Sequence, residues 1–385
     1  MIVRNYFSTH PVLRYAIEEI IVAYHADPMI DTHDFILIAV APHYPLAQVT
    51  HFVQHHFATD RFLAFHAIDA FSGMETVSGI AMCVIAFERE GSIKTLLIED
   101  MITHQDRAVN QTIAYLEANR DATHCFFSGH LEGEFSTFID ALEAAGEDKT
   151  LFSRFIGGAC SGTRDPLTKE TLTYQATADR IVKRGFVLVS FCGCDCAMSA
   201  SLGYNPVGVA YTITGVAGKG NVAIDHNRSF IHTIDRLTRN IPDFEIRHLW
   251  YSPIVLLDEA DGSITVVRTF KAIHHDSVEF YTPLKIGTRF KLSYAEPSNL
   301  LQADAQSAQE VVSQLPQCDL AFNFSCIARQ YALEDRQKEE AKIYSKLLNA
   351  PLFGFFTFGE VGSKRNGKGL NVYNQTSLLV GITER

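Results

Sequence analysis

The sequence predicts a mixed α/β fold in which repeated β-α-β-β units form mixed sheets in two lobes. Short apolar runs of strand length alternate with segments whose apolar residues recur at helical spacing. That alternation appears three times in the same order. With 47% hydrophobic and 20% charged residues, the 385-residue chain has ample material for a core. No Pro/Ser-rich linker or low-complexity tract interrupts it.

The first unit starts with DFILIAVAPHY (34–44), a buried strand with its exit loop. PLAQVTHFVQHHF follows as a helix, RFLAFHAIDAF (61–71) as a second strand and GIAMCVIAFER (79–89) as a third. Two apolar strands flanking a helix imply a parallel crossover, and the short SGMETVSG link lets the third strand turn back. The second unit begins at HCFFSGH (124–130). Its helix, EFSTFIDALEAAG (134–146), carries Phe135, Phe138, Leu142 and Ala145 on one face, with Gly146 as C-cap. RFIGGACSG (154–162), LTYQA and GFVLVSF complete it. The third unit begins at DLAFNFSC (319–326) and continues through the helix LEDRQKEEAKIYSKLL to PLFGFFTFGEVG (351–362) and VYNQTSLLVGI (372–382). Between the second and third units lie a hairpin, PVGVAYTITGVAGKGNVAID, and a mixed stretch from 248 to 300.

Charge and composition narrow the function. The net charge of −11, with no Lys/Arg-rich stripe, disfavours nucleic acid as a partner. No apolar run has the length of a membrane helix, and MIVRNYFSTH lacks the apolar core of a secretory signal. The expectation is a cytoplasmic protein without membrane contact, its eight cysteines buried and reduced. Whether it self-associates stays open.

In each unit the second strand runs into a polar or glycine-rich exit: HAIDAFSG, GGACSG and FGEVG. Ligands of α/β sheets bind at the carboxyl ends of strands. Glu360, Cys160 and the pair His66/Asp69 are therefore expected at comparable strand ends. Glu360 is the one acid in LFGFFTFGEVGS (352–363), after a strand too apolar to solvate it. A buried charge needs a partner, either a ligand amine or Arg329. Arg329, three residues after Cys326, is either a bidentate grip for a carboxylate or a surface side chain of the QYALEDRQ turn.

Several other patterns carry less. His51 and His55, with His56 adjacent, lie four apart on a helix but lack a third ligand, so a solvated face is expected. His274-His275 reads as a surface turn. Along a strand the CGCDC (192–196) thiols would stand about 6.6–7 Å apart per step. Sulfurs about 2.3 Å from one zinc must lie closer, so only a bend at Gly193 would bring them together. Cys160 in GGACSG resembles a nucleophile elbow with sulfur for oxygen, which would need a following helix and a histidine base. TRDPLTKETLTYQ reads instead as a hairpin, and GVAGKGN as a turn rather than a phosphate loop.

Taken in order, these segments resemble the FIST family of sensory domains. FIGGACSG is similar to its glycine-glycine segment, and FNFSCIAR to its Phe-Ser-Cys-x-x-Arg segment. LGYNPVGVAYTITGVAGKGNVAIDHNRSFIHTIDRL resembles its stretch of aromatic, Pro-Gly, Thr and Gly-Asn followed by a helix. GFFTFGEVG and YNQTS resemble its closing motifs. Two positions depart from the pattern. Ala64-Phe65-His66-Ala67-Ile68-Asp69-Ala70 stands where the family has Gly-Cys-Ser/Thr-Thr-Ala-Gly-Glu, and Tyr373 stands where it has histidine.

The resemblance implies an N-terminal sensory domain over 1–225 and a C-terminal domain over 226–385. It also implies a small-molecule sensor, not an enzyme, read by a separate signalling protein. No kinase, receiver or cyclase segment is attached, as in the stand-alone members that bind haem, respond to nitric oxide and regulate a histidine kinase or cyclic-di-GMP signalling. On that version His66, His226, His232 and Tyr373 are candidate iron ligands, His66 first. Arg329, Glu360 and Cys326 would line the pocket. The alternatives are a haem-free sensor of an amino acid or other polar metabolite, and a cysteine hydrolase using Cys160.

Overall fold

The computed structural model describes residues 1–28, 33–129, 134–164 and 171–385. In chain order the first unit holds β1 (Ile2–Ser8), α1 (Leu13–His25), β2 (Phe35–Val40), α2 (Leu46–Phe57), β3 (Phe62–His66), β4 (Ala70–Ser72), β5 (Glu75–Val77) and β6 (Ile80–Ala86). The second holds β7 (Ser92–Ile98), α3 (Gln105–Ala118), β8 (Thr123–Ser128), α4 (Glu134–Ala145) and β9 (Phe155–Ala159). It goes on through β10 (Thr163–Arg164), β11 (Thr171–Leu172), β12 (Gln175–Ala176), β13 (Ile181–Val182) and β14 (Phe186–Cys192). The third opens with β15 (Cys194–Ser201). After a long insertion it resumes at α6 (Pro297–Gln314), β24 (Leu320–Cys326), α7 (Ile327–Leu333), α8 (Gln337–Leu348), β25 (Leu352–Thr357), β26 (Glu360–Ser363), β27 (Leu370–Tyr373) and β28 (Ser377–Glu384). The insertion carries β16 (Asn205–Ala217), β17 (Gly220–Ile224), β18 (Arg228–Ser229), α5 (Phe230–Thr238), β19 (Ile254–Leu257), β20 (Ile264–Arg268), β21 (Phe270–Ile273), β22 (Val278–Phe280) and β23 (Arg289–Tyr294).

The fold is mixed α/β, as the apolar pattern predicts. The crossover strands pair in parallel in every unit: β2 with β3, β8 with β9 and β24 with β25. Three six-stranded sheets result, ordered β1-β6-β2-β3-β12-β13, β7-β14-β8-β9-β26-β27 and β15-β28-β24-β25-β4-β5. Position by position the three orders correspond. The last two strands of each sheet come from a different unit. The first unit lends β4–β5 to the third sheet, the second lends β12–β13 to the first, and the third lends β26–β27 to the second. RFLAFHAIDAF and PLFGFFTFGEVG are therefore not single strands. Each breaks, and its second half crosses to another sheet.

The exchange explains why the central strands are apolar on both sides. Alternate residues face a shared axis: Leu37 and Ala39 of β2, Cys125 and Phe127 of β8, Phe322 and Phe324 of β24. The opposite faces take helices. Ile36, Ile38 and Val40 pack with Ala16, Ile20, Val49 and Phe52 of α1 and α2. Leu142 of α4 and Tyr344 of α8 occupy the same place on the other two sheets. On the axis the ring centroids of Phe65, Phe127 and Phe355, one from each sheet, lie 4.9, 4.7 and 6.0 Å apart.

The insertion forms a second, smaller lobe, a largely antiparallel sheet ordered β20-β19-β23-β16-β17-β22-β21 with its own core around Phe230, Phe280 and Phe290. GVAGKGN contains the two-residue turn between β16 and β17, Gly218-Lys219, with Gly218 at φ 59°. Residue 225 falls in this lobe, at the turn before β18. CGCDC does bend at Gly193 (φ 69°), joining β14 to β15, yet no metal-holding group of three or more His, Cys, Asp or Glu occurs among the described residues. Strands β10 and β11 pair antiparallel, as the hairpin reading of TRDPLTKETLTYQ expects, with its tip (165–170) outside the described residues. His130, the end of HCFFSGH, also lies outside them. No described helix is long and apolar enough to cross a membrane.

Phe127→Ala would open a cavity where all three sheets meet. A loss of about 3–5 kcal/mol in denaturant unfolding is expected, against less than ~1 kcal/mol for Phe7→Ala on the exposed face of β1.

Candidate functional site

The strand ends that point toward one another are those of β9, β24 and β25. Glu360 opens β26, opposite Gly158 of β9 and Tyr373 of β27. Directly opposed residues share a face, so its side chain enters the axial core at its polar end and is fully buried. Its hydroxyl partner Thr357 needs Gly158, because a β-carbon there would lie 2.7 Å from Thr357 Cγ2. The second glycine of FIGGACSG is thus a packing requirement of Thr357, the hydroxyl partner of the acid in the next unit.

Among the described residues no cation lies within ion-pair distance of Glu360, and Arg329 acts on it only through space. Its Oε1 is hydrogen-bonded to Thr357 Oγ1 and its Oε2 accepts from the Thr376 amide at 3.4 Å. The Cys326 thiol is its other polar neighbour. Burial pushes its carboxyl up to about 8, against the pull of Thr357, Cys326 and Thr376. A neutral carboxylic acid also fits the hydrogen-bond count. Thr357 Oγ1 lies 3.3 Å from the Ser325 carbonyl, to which only the threonine hydroxyl can donate, leaving the acid proton for Thr357. Burial, and then Glu360, hold the Cys326 thiol well above its ordinary value, so it stays protonated.

Arg329 is neither at the surface nor paired with Glu360. It is fully buried, and its Nη2 bonds Asp304 Oδ1 at 2.6 Å, with Nε 3.8 Å from Glu340 Oε2. Burial would lower the guanidinium's pKa; Asp304 and Glu340 outweigh it and hold it above the ordinary value. The network continues through Tyr344 to Asp304 (2.8 Å), Ser377 to Asn323 (2.8 Å) and Asn323 to Glu340 (3.0 Å). Arg329 also donates to the carbonyls of Leu202 (3.2 Å) and Leu300 (2.9 Å). Those residues lie where the chain leaves for the small lobe and where it returns. The side chain read as a ligand grip is a clamp on both stems.

Beside Cys326 lies a cavity of about 200 Å³. The large lobe contributes Cys326, Ile327, Ala328, Phe358 and Asn374; Gly162 and Thr171 close one side; and the small lobe contributes Trp250, Thr269 and Tyr281. Among the described residues the buried Thr269 hydroxyl has no hydrogen-bond partner. Sequence reasoning missed the small-lobe residues, because nothing in the linear pattern says that the insertion folds back over the end of β24.

The remaining predicted residues do not converge on this cavity. His66 ends β3, buried against Tyr174 at 5.6 Å between ring centroids, and burial lowers its pKa to about 4. His226 and His232 are exposed on the small lobe, His226 in a turn at φ 42°. The Tyr373 hydroxyl donates to the Ser363 carbonyl at 3.0 Å. Of the residues expected around haem, Cys326 alone lines the cavity, and about 200 Å³ is below the roughly 300–1,000 Å³ of drug-sized pockets. This cavity does not fit haem. Asp69 is held by Gln330 at 2.7 Å and by Ser78. Cys160 is fully buried, burial raises its thiol, and its side-chain neighbour is Gln175, an environment opposite to that of a nucleophile.

Comparison with known proteins assigns the chain. The FIST N domain matches residues 34–226 and the FIST C domain residues 235–363, so the chain belongs to the FIST family. FIST domains mark a signal-transduction sensor. The chain is also similar to an uncharacterized protein of Aquifex aeolicus (strain VF5), 25% identical over 260 residues, which cover 67% of this chain and 95% of that one.

Two outcomes follow from this chemistry. The folded Glu360 pKa exceeds the ordinary carboxylate value, so native protein holds a proton that unfolded chain releases. Its contribution to stability is therefore lost as pH rises through about 8. Relative to Glu360→Gln, the parent is expected to lose about 2 kcal/mol between pH 6.5 and 8, read by chemical denaturation. Arg329→Met leaves Asp304 without its counter-charge and is expected to cost about 3–5 kcal/mol. Arg336→Met, at the exposed Glu339 pair, should leave the unfolding midpoint essentially unchanged.

Proposed function

We infer that this sensor works without haem, taking an amino acid or similarly small polar metabolite into the cavity between the lobes. The observation that carries the reading is the lining itself, drawn from both lobes around the end of β24. A molecule touching Thr269 and Tyr281 on one side and Ala328 and Asn374 on the other binds one lobe arrangement better than another, and only such a difference shifts a population. Thr269 supplies a buried hydroxyl in need of a partner, and Trp250 and Phe358 supply flat apolar walls. The neutral state of Glu360 and Cys326 supports an uncharged floor. Arg329, one residue beyond Ala328, ties that floor to both stems of the small lobe, and the changed surface is read by a separate signalling protein.

Trp250 is the chain's one tryptophan and lines the cavity, so its fluorescence reports occupancy. Screening amino acids and small polar metabolites is expected to find a compound that shifts Trp250 emission and raises the melting temperature. At 100 times Kd the gain is about 2.7 kcal/mol. Ala328→Leu, which fills the cavity, should abolish both signals while the protein stays folded. A stabilising compound indifferent to Ala328→Leu and silent at Trp250, or a Soret band after hemin reconstitution, would overturn the reading.

A further inference from the structure

The three sheets meet at three seams, and in each an edge strand lies against a neighbouring sheet. At the first, Asn5 Nδ2 of β1 donates to the Leu352 carbonyl at 2.7 Å. At the second, Arg61 Nη2 reaches the Ile93 carbonyl of β7 at 3.2 Å. At the third, Arg154 Nη1 reaches the Cys194 carbonyl of β15 at 3.3 Å. Beyond Cys194 this third seam opens into a groove of about 760 Å³, lined by β15 from Cys196 to Ser201 and on through Gly203.

The strand along that groove has an unpaired edge. The amide of Arg385 donates to the Gly193 carbonyl at 3.0 Å, and the two strands run in register from Cys194↔Glu384 to Ser201↔Ser377. Hydrogen-bonded pairs alternate in an antiparallel ladder. Asp195, Ala197, Ser199 and Ser201 therefore turn their backbone groups to β28, while Cys196, Met198 and Ala200 turn theirs into the groove. No described strand pairs with them. A row of free N–H and C=O groups is a template for an added strand.

The walls indicate what that strand carries. One wall, across the seam, presents Arg154, Lys364 and Arg365; the other is α6, with Gln306 and Glu310. Glu310 already accepts from Ser199 at 2.7 Å, and Lys364 engages Glu143, while Arg365 is exposed. A cationic lip on a chain of net charge −11 singles out an acidic occupant. Successive side chains of an added strand point alternately to the two walls.

We propose that the β15 groove is a docking surface for an extended acidic segment of a partner protein. The segment adds to the sheet as a seventh strand, with carboxylates at every second position facing Arg154, Lys364 and Arg365. β15 leads directly into Leu202, the outgoing stem held by Arg329, so the docking edge adjoins the joint between the lobes.

The test uses the full chain and a fluorescein-labelled peptide of about eight residues alternating Glu and Val, with a Lys/Val peptide as control. Anisotropy is expected to show saturable binding of the Glu peptide, about tenfold or more tighter than the Lys peptide and weakening with salt. Arg365→Glu should weaken it about tenfold without changing the melting temperature. Met198→Pro deletes a donor that faces the groove and not β28, a place where an edge strand accepts proline; it should abolish binding. Binding by neither peptide, equal binding of both, or insensitivity to both variants would overturn the proposal. So would light scattering that shows a dimer dissociated by Met198→Pro, since the edge would then be occupied by a second copy of the chain.

Discussion

The contact of Phe65, Phe127 and Phe355 on the common axis is where the three sheets are forced into one body. Each ring comes from a different sheet, and none could be buried by its own unit alone. A three- or four-stranded unit with helices on one side leaves its other face in water. Lending a hairpin to the next sheet and turning the bare faces inward removes that exposure. The exchange also forces β3, β9 and β25 to end abruptly, because the chain must leave its sheet there. Strand ends thereby gather at one end of the axis, and the polar residues at those breaks are buried by the same closure.

The state of Glu360 follows from that burial. An ionised carboxylate at the end of an aromatic core, with no cation to meet it, is far more costly than a protonated one. Three hydrogen-bonding neighbours do not offset the desolvation, and the acid stays mostly neutral until the pH approaches about 8. The opposite solution appears one helical turn beyond Cys326, the acid's thiol neighbour. Arg329 is as deeply buried, but two carboxylates, a tyrosine and backbone carbonyls surround it. Its role is to bind the insertion to the body at both stems, and through Ala328 it touches the cavity that the insertion roofs. A small lobe on two clamped stems roofs a cavity in the large one.

Much of this was legible in the linear chain. The three-fold recurrence, the parallel crossovers, the one crossover helix of each unit and the β16–β17 turn follow from apolar period and turn chemistry; α1, α3 and α6 were not read from the sequence. The single acid in LFGFFTFGEVGS and the paired glycines of FIGGACSG signalled a special place. Their connection did not show, because Gly158 and Glu360 belong to different units and meet only through a lent strand. Arg329 was legible as important but not as a clamp, since Asp304 and Glu340 stand in helices whose placement no local signal specifies.

The sequence by itself determined which segments become strands and helices, and that some strands are buried on both sides, because those properties depend on the period and polarity of neighbouring residues. It also carried the ordered motifs of the FIST family. Only the tertiary structure decided which sheet each strand joins, that the insertion folds over the end of β24, and that one edge of β15 stays free. Strand partners are chosen by which apolar faces can be hidden together, a property of the closed assembly that no window of the chain contains.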